Sequence, residues 1–441
     1  MLNRFHHRHE RSAANIIQDI TDDNGTDDRS TINNQDCSVD NHLNHGINES
    51  SSTFESNEEA FQKLPWRIRA IVQFNINHFG PALGFSAVTR VCNALGFDFG
   101  LFTIPDWIWI VLWFVTSVLL ALSFILYILR IIIFPQGVLL DFRDNTRVNF
   151  FAAPLIVMVN LLVKIPTFFR PNQTAITVFF YVLFIYQLLL SLYIYGEWLF
   201  GRRNILGQVH PLYNMAIIGY LVLVILGAQS DQRDAAVFCQ SVGLLFWLLI
   251  FFALFQRLAS SKHGAHTRQH PGPMMFLLVA PLGAAALSSY AMSMLATTSA
   301  ASAFYMGLSE FFIMIDSFVY LLLLRLLPTF WTNTFTMTMW AYVFPLSTAS
   351  TAMIGYSIQQ QMVFWDVIAV IQTLVAVLAC TLVACFTVYF TVKGKIPQCV
   401  ESRQEYMNHI QHMHQPVSVV SIDSEVEAQN NSSEYDIEQQ K

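Results

Sequence analysis

The sequence predicts an all-α integral membrane protein with ten transmembrane helices, built as five helical-hairpin repeats around a central pore. The chain of 441 residues is 54% hydrophobic and only 12% charged. Its apolar residues form continuous blocks of roughly 20 to 30 residues, each long enough to cross a bilayer. The blocks lack amphipathic spacing, which argues against a soluble fold. A proline or glycine recurs in every second block, which indicates a repeat.

Ten apolar blocks are predicted to span the membrane, and we number them spans 1 to 10. The loops between them are too short to hold a second folded domain. The approximate limits of the spans are 70–96, 105–134, 147–168, 173–200, 209–229, 234–257, 273–296, 302–327, 335–358 and 364–392.

Polar tails flank a transmembrane domain of residues 65–396. Residues 1–64 and 397–441 are rich in Asn, Asp, Ser and His, and we predict that both are disordered. An even number of spans places both tails on one side of the membrane. Fourteen Lys and Arg residues flank that side against three on the other, so the positive-inside rule predicts cytoplasmic termini.

A helix breaker recurs in the odd-numbered spans at intervals of 73, 65, 62 and 64 residues, by subtraction of the residue numbers. This spacing indicates one helical hairpin repeated five times. Interrupted membrane helices are tolerated where they meet other protein or line a water-filled cavity. We therefore expect the odd spans to be interrupted at a similar depth and to lie inside, with the even spans outside. The breakers are Pro81, Pro154, Gly219, Pro281 and Pro345.

Small and hydroxylated residues follow the breakers, among them Ser347 and Thr348 after Pro345. Small residues either let helices pack closely or leave an open lumen between them. Their recurrence in the odd spans favours a lumen, which the breakers, Ser347 and Thr348 would line. Close packing without a lumen is the alternative interpretation.

Four stretches in order along the chain resemble a known family: RVNFFAAP at 147–154, YGEWL at 195–199, FALFQRL at 252–258 and YVFPLSTAS at 342–350. The chain is similar to the slow-type anion channels of plant guard cells, within the tellurite-resistance and dicarboxylate-transporter family. The resemblance runs from about residue 70 to 392. It implies five hairpins around a pore, an assembly of three subunits and, we expect, a place in the plasma membrane.

The resemblance also implies a gate. In that family a phenylalanine before the proline of span 9 plugs the pore, and the matching residue here is Phe344. An aromatic ring in a narrow apolar tube obstructs ions by its volume and by dewetting. The alternative is an ordinary packed aromatic residue, since the chain contains 37 phenylalanines.

The odd spans carry no evident ring of Asp or Glu, which argues against a cation pore. An uncharged lumen favours ions that lose water easily, and with the resemblance this implies nitrate or chloride. The alternative function is a proton-coupled or facilitated carrier of a dicarboxylate such as malate, or of sulfite, because one fold supports several functions.

Three ionisable residues within or near the spans are candidate modulators. Arg90 lies near the outer end of span 1, where it would attract anions or extend to the interface as arginines commonly do. Glu310 and Asp316 lie in span 8, where their separation places them on different faces of an outer helix. They either meet a neighbouring helix or subunit, or form a proton relay.

Other functional classes find no support in the sequence. No nucleophile stands at useful spacing from a base, no glycine-rich phosphate loop is present, and no basic aromatic surface suits nucleic acid, so we predict neither an enzyme nor a cofactor. The six cysteines form no CxxC pair, and no metal site is predicted. The predicted partners are the lipid bilayer, small anions, two further copies of the chain and a protein kinase acting on Ser12, Ser30 or Thr31 of the N-terminal tail.

Overall fold

The structure is a computed structural model that describes residues 65–96, 99, 103–200, 209–260, 273–330 and 335–393. Contacts divide the chain into a unit of residues 1–73 with 399–441 and a unit of residues 74–398. In the first unit the structure describes helix α1 (Trp66–Gln73) and the residue before it. The predicted tails, with Ser12, Ser30 and Thr31, lie outside the described residues.

The second unit is helical throughout its described part. Its helices are α2 (Gly80–Leu95), α3 (Asp106–Ile133), α4 (Pro135–Arg143), α5 (Ala152–Val163), α6 (Gln173–Phe200), α7 (Asn214–Gln229), α8 (Arg233–Ser260), α9 (Val279–Leu295), α10 (Ser299–Phe330), α11 (Trp340–Gln360) and α12 (Val363–Val392).

Five helices, α2, α5, α7, α9 and α11, form a closed inner ring. Each contacts the next in this order, and α11 returns to contact α2. In the most apolar stretch of α7, 94% of the residues are buried, against 17 to 33% in α3, α6, α8, α10 and α12. The predicted division into inner odd-numbered and outer even-numbered spans is confirmed.

The outer helices each cover a seam between two inner ones. Helix α3 contacts α2 and α5, α6 contacts α5 and α7, and α8 contacts α7 and α9. Helix α10 contacts α9 and α11, and α12 contacts α11 and α2. Large apolar side chains such as Val118, Leu189 and Phe318 point outward and are more than 60% exposed. An apolar outer surface suits a helix bundle whose solvent is lipid.

Seven of the described helices are long and apolar enough to cross a membrane. An eighth span results if α4 and residues 147–163, which meet at an angle of 108°, are counted as one. Helix α2 has only 16 residues, and α11 is diluted by serine, threonine and glutamine. All ten predicted segments contain helix, but the number of ten transmembrane spans stays a prediction.

Every inner helix begins with a short 3-10 helix that runs directly into the α-helix. These segments are Ile76–Phe79, Arg147–Phe151, Pro211–Tyr213, Pro273–Leu278 and Met337–Met339. Pro81, Pro154 and Pro281 fall in the first turn of the α-helix that follows. A proline is tolerated there because the backbone N–H groups of the first turn have no partner within the helix.

The expected interruption inside each inner helix is therefore wrong for these three prolines, which stand where the 3-10 helix changes to α-helix. Pro345 alone lies in the interior of a described inner helix. Helix α10 extends past its predicted limit and contains Pro328 near its end.

Helices α9 and α11 lie close together at Gly283. A Cβ atom built on Gly283 would lie 3.2 Å from the backbone nitrogen of Ala349. Backbone atoms of a packed helix cannot move aside as a flexible side chain can, and overpacking of this kind costs about 1–3 kcal/mol.

We expect Gly283→Ala to lower the free energy of unfolding by about 1–3 kcal/mol, because α9 and α11 must separate to admit the methyl group. Thermal unfolding of the purified protein in detergent measures the change. Gly307→Ala in α10 is the matched control, since an added Cβ there meets nothing within 4 Å. Equal melting temperatures for the two variants would contradict the close approach.

A buried ion network joins α3, α4 and the 3-10 segment before α5. Nη2 of Arg130 lies 3.2 Å from Oδ2 of Asp141, and Nη1 of Arg147 lies 3.2 Å from Oδ1. Arg130 and Asp141 are fully buried. Nη1 of Arg130 also donates to the backbone carbonyl of Phe74, at 2.7 Å. The network therefore links the starts of two inner helices.

Candidate functional site

Two small cavities lie inside the helix ring, and each is lined by residues from all five inner helices or the 3-10 segments before them. We call them the Arg90 cavity and the Asn77 cavity. The Arg90 cavity is lined by Ala87, Arg90, Asn160, Val222, Ile225, Ala284, Leu287, Phe344, Thr348 and Thr351. The Asn77 cavity is lined by Asn77, Gly80, Leu83, Phe150, Met215, Leu277, Met337, Thr338, Trp340, Ala341 and Phe344.

Phe344 is the residue that the two linings share. Its side chain is 1% exposed. Each cavity offers a volume of about 10 Å³ to a water-sized sphere, which is room for a single water molecule. Among the described residues, the five inner helices thus enclose two water-sized spaces, and the Phe344 side chain borders both of them.

The backbone around Phe344 is shaped by Pro345 and by the hydroxyl groups after it. Pro345 has no N–H, so the carbonyl of Ala341 lacks its usual helical donor. Thr348 donates from Oγ1 to the carbonyl of Phe344 at 2.8 Å, and Thr351 donates to the carbonyl of Ser347 at 2.9 Å. Both threonines line the Arg90 cavity, and their hydroxyl protons are already used within α11.

Arg90 places a positive charge at the wall of the cavity that bears its name. Its Nη1 donates to Oδ1 of Asn160 at 3.1 Å. The amide of Asn160 in turn donates to Oγ of Ser86 at 3.0 Å. Among the described residues no carboxylate forms an ion pair with Arg90. The expectation of an uncharged lumen is therefore wrong, because one guanidinium faces the ring axis.

Of the predicted lining residues, Thr348 lies at the wall of the Arg90 cavity. Gly219 packs away from both cavities, and a Cβ built on it would lie 2.5 Å from Oε1 of Gln187 in α6. Ser347 is fully buried, and its hydroxyl has no hydrogen-bond partner among the described residues. The predicted lining residues that lie outside both linings are Pro81, Pro154, Gly219, Pro281, Pro345 and Ser347.

Glu310 and Asp316 occupy different surroundings on α10. Oε1 of Glu310 accepts a hydrogen bond of 3.2 Å from Nε2 of Gln360 and lies in an open groove on the outer surface. Asp316 is 2% exposed. Its Oδ1 has no hydrogen-bond partner among the described residues. Asp316 therefore lies behind the ring wall, whereas Glu310 faces the periphery.

Comparison with known proteins assigns this arrangement to a family. The model of the family described as voltage-dependent anion channel (SLAC1) matches residues 73–388, which include all five inner helices. The S-type anion channel SLAH2 of Arabidopsis thaliana is 28% identical over 325 residues, covering 72% of this chain and 60% of the relative. The guard cell S-type anion channel SLAC1 of the same plant is 30% identical over 291 residues, covering 65% of this chain and 50% of the relative. The matched region spans about half to three fifths of these relatives' length.

Proposed function

This chain belongs to the voltage-dependent anion channel family, and from that premise we propose that it conducts small monovalent anions, nitrate and chloride, along the axis of its helix ring. We further propose that Phe344 is the gate. The observation that carries this proposal is the position of Phe344, which borders both of the cavities that the five inner helices enclose.

Electrostatics on the ring axis favour anions. No carboxylate lines either cavity, while Arg90 lines one of them. The remaining wall is apolar or carries threonine hydroxyls, so an ion that enters loses most of its water. Weakly hydrated monovalent anions lose water at the smallest cost, which is the basis for proposing nitrate and chloride rather than multiply charged ions.

Anion substitution under voltage clamp tests this function. In cells expressing the chain, the reversal potential is expected to shift by up to about 59 mV for each tenfold change in external nitrate or chloride. Replacement of external sodium by a large organic cation is expected to leave the reversal potential unchanged. A current that follows sodium, or that is carried by malate alone, would contradict the proposal.

Asp316 is the observation that favours the second candidate, a proton-coupled carrier of malate or sulfite. A buried carboxylate with one oxygen that has no hydrogen-bond partner among the described residues is a suitable group to bind and release a proton. A carrier would show saturable uptake driven by a proton gradient and abolished in Asp316→Asn. The channel proposal instead expects Asp316→Asn to retain its anion current.

We also propose that the chain assembles as a homotrimer in the plasma membrane with both tails in the cytoplasm, where a kinase acts on the N-terminal tail. The excess of Lys and Arg on one side of the predicted spans supports the orientation. Labelling of cysteines introduced at residue 30 and residue 420 in intact cells tests it. Reaction with an impermeant reagent before permeabilisation would exclude cytoplasmic tails.

A further inference from the structure

The strongest unassigned feature of the ring is the charge of Arg90. A guanidinium offers five N–H donors, and the one hydrogen bond that the described residues give to Arg90 is the bond to Asn160. Arg90 is partly buried, and a charge that is partly removed from water without a counterion is costly. The Arg90 cavity therefore has an unbalanced positive charge.

A chain of hydrogen bonds fixes the orientation of Arg90. Asn160 uses its oxygen to accept from Arg90, so its amide nitrogen must donate to Ser86. Ser86 completes the chain by donating to the carbonyl of Leu83 at 2.7 Å. The donor and the acceptor of each hydrogen bond from Arg90 through Asn160 and Ser86 are thereby fixed. The remaining N–H groups of Arg90 are thus held at the cavity wall without competing for Asn160.

The other polar groups of the cavity define what Arg90 can bind. Thr348 and Thr351 donate their hydroxyl protons to backbone carbonyls of α11, so they offer no O–H donor to a ligand in the cavity. The guanidinium has only N–H donors and a positive charge, so a ligand that satisfies it must accept hydrogen bonds and carry negative charge. The volume admits one small ion at most, and only if the adjacent Phe344 side chain yields some space.

We propose that Arg90, oriented by Asn160 and Ser86, forms a binding site for one small monovalent anion directly beside Phe344. A planar oxyanion such as nitrate can accept two parallel N–H bonds from the guanidinium fork, whereas a halide accepts single bonds. The site ranks nitrate above chloride for this reason. The proposal rests on the proposed function, to which it adds the residue that holds the ion.

The first test measures current in the Phe344→Ala background, where the path is expected to be open. Addition of Arg90→Gln is expected to raise the nitrate concentration that gives half-maximal current by roughly tenfold or more, because charge-assisted hydrogen bonds are lost. Arg90→Lys keeps the charge but not the fork, so the preference for nitrate over chloride should fall. Arg170→Gln is the matched control, since Arg170 is exposed and lines neither cavity.

The second test needs no current. Nitrate is expected to raise the melting temperature of the purified wild type and of Arg170→Gln, relative to gluconate at equal ionic strength. Arg90→Gln should lose this nitrate-dependent shift. Asn160→Asp should lose it too, because it retains the oxygen acceptor but supplies a fixed counterion.

The two tests separate the two proposals. Absence of current in Phe344→Ala would overturn the channel and its gate, while the melting shift would still decide the anion site. An unchanged half-maximal concentration in Arg90→Gln, together with an unchanged melting shift, would overturn the anion site and leave the channel standing.

Discussion

Replacement of Phe344 by alanine is expected to produce a large anion current in cells where the wild type carries almost none. Phe344 lines both the Arg90 cavity and the Asn77 cavity. Removal of its phenyl side chain is therefore expected to join the two cavities. If the closed arrangement holds nearly all of the population, the current should rise roughly 10- to 100-fold. Whole-cell recording with nitrate in the bath, normalised to surface expression, measures the increase.

A second buried phenylalanine controls for loosened packing. Phe180 in α6 is 0% exposed and lines neither cavity, so Phe180→Ala creates a void away from the ring axis. We expect it to lower stability without raising current. An equal rise in both variants, or no rise in Phe344→Ala, would show that the path is not closed at Phe344.

Replacement of Asp141 by asparagine is expected to cause the largest loss of stability. Nη2 of Arg130 and Nη1 of Arg147 each lie 3.2 Å from an oxygen of this carboxylate, and Arg130 is fully buried. Removal of one partner of a buried ion pair leaves the other charge uncompensated and costs about 3–5 kcal/mol. Denaturation in detergent and the amount of folded protein at the membrane both report the loss.

Two further variants test the cause of that loss. Asp234→Asn removes an exposed carboxylate at the start of α8 and should have little effect. The combined change Arg130→Met, Asp141→Leu and Arg147→Met removes all the charges at once, and it should recover most of the lost stability. A triple variant as unstable as Asp141→Asn would mean that the charges themselves are required.

The architecture could be predicted from the sequence because apolar block length and a recurring breaker are strong signals. Helix α4 was not predicted, because Pro135–Arg143 is short and contains Asp141 and Arg143, which suggest an exposed loop. Sequence alone does not reveal that Asp141 is buried between two arginines. The recurring prolines identify the inner helices. The pattern does not distinguish a proline that kinks a helix from one that follows a 3-10 helix in the first turn.

The candidate site was harder to predict. A uniformly apolar helix has no polar face, so its sequence does not show which side chains point toward the ring axis. Phe344 came from the resemblance and not from its own surroundings. For Arg90 the sequence left two interpretations open, attraction of anions and extension to the membrane interface, although a signal for its position existed. Ser86 and Arg90 lie four residues apart and so share one face of α2. Asn160 is the single polar residue of α5, and two polar faces inside one membrane domain are expected to meet.

The complete covering of the seams between inner helices restricts how such a protein can open. Each outer helix contacts two neighbouring inner helices, so the described ring has no uncovered edge along which it could widen. Widening would have to slide several helix pairs at once, whereas rotation of one side chain disturbs only its immediate neighbours. Rotamer changes of side chains are intrinsically fast, and rearrangements of packed helices take microseconds to milliseconds. If Phe344 is the gate as proposed, the time of opening would be set by the repacking of the helices beside Phe344, and rotation of the phenyl side chain would add almost no delay.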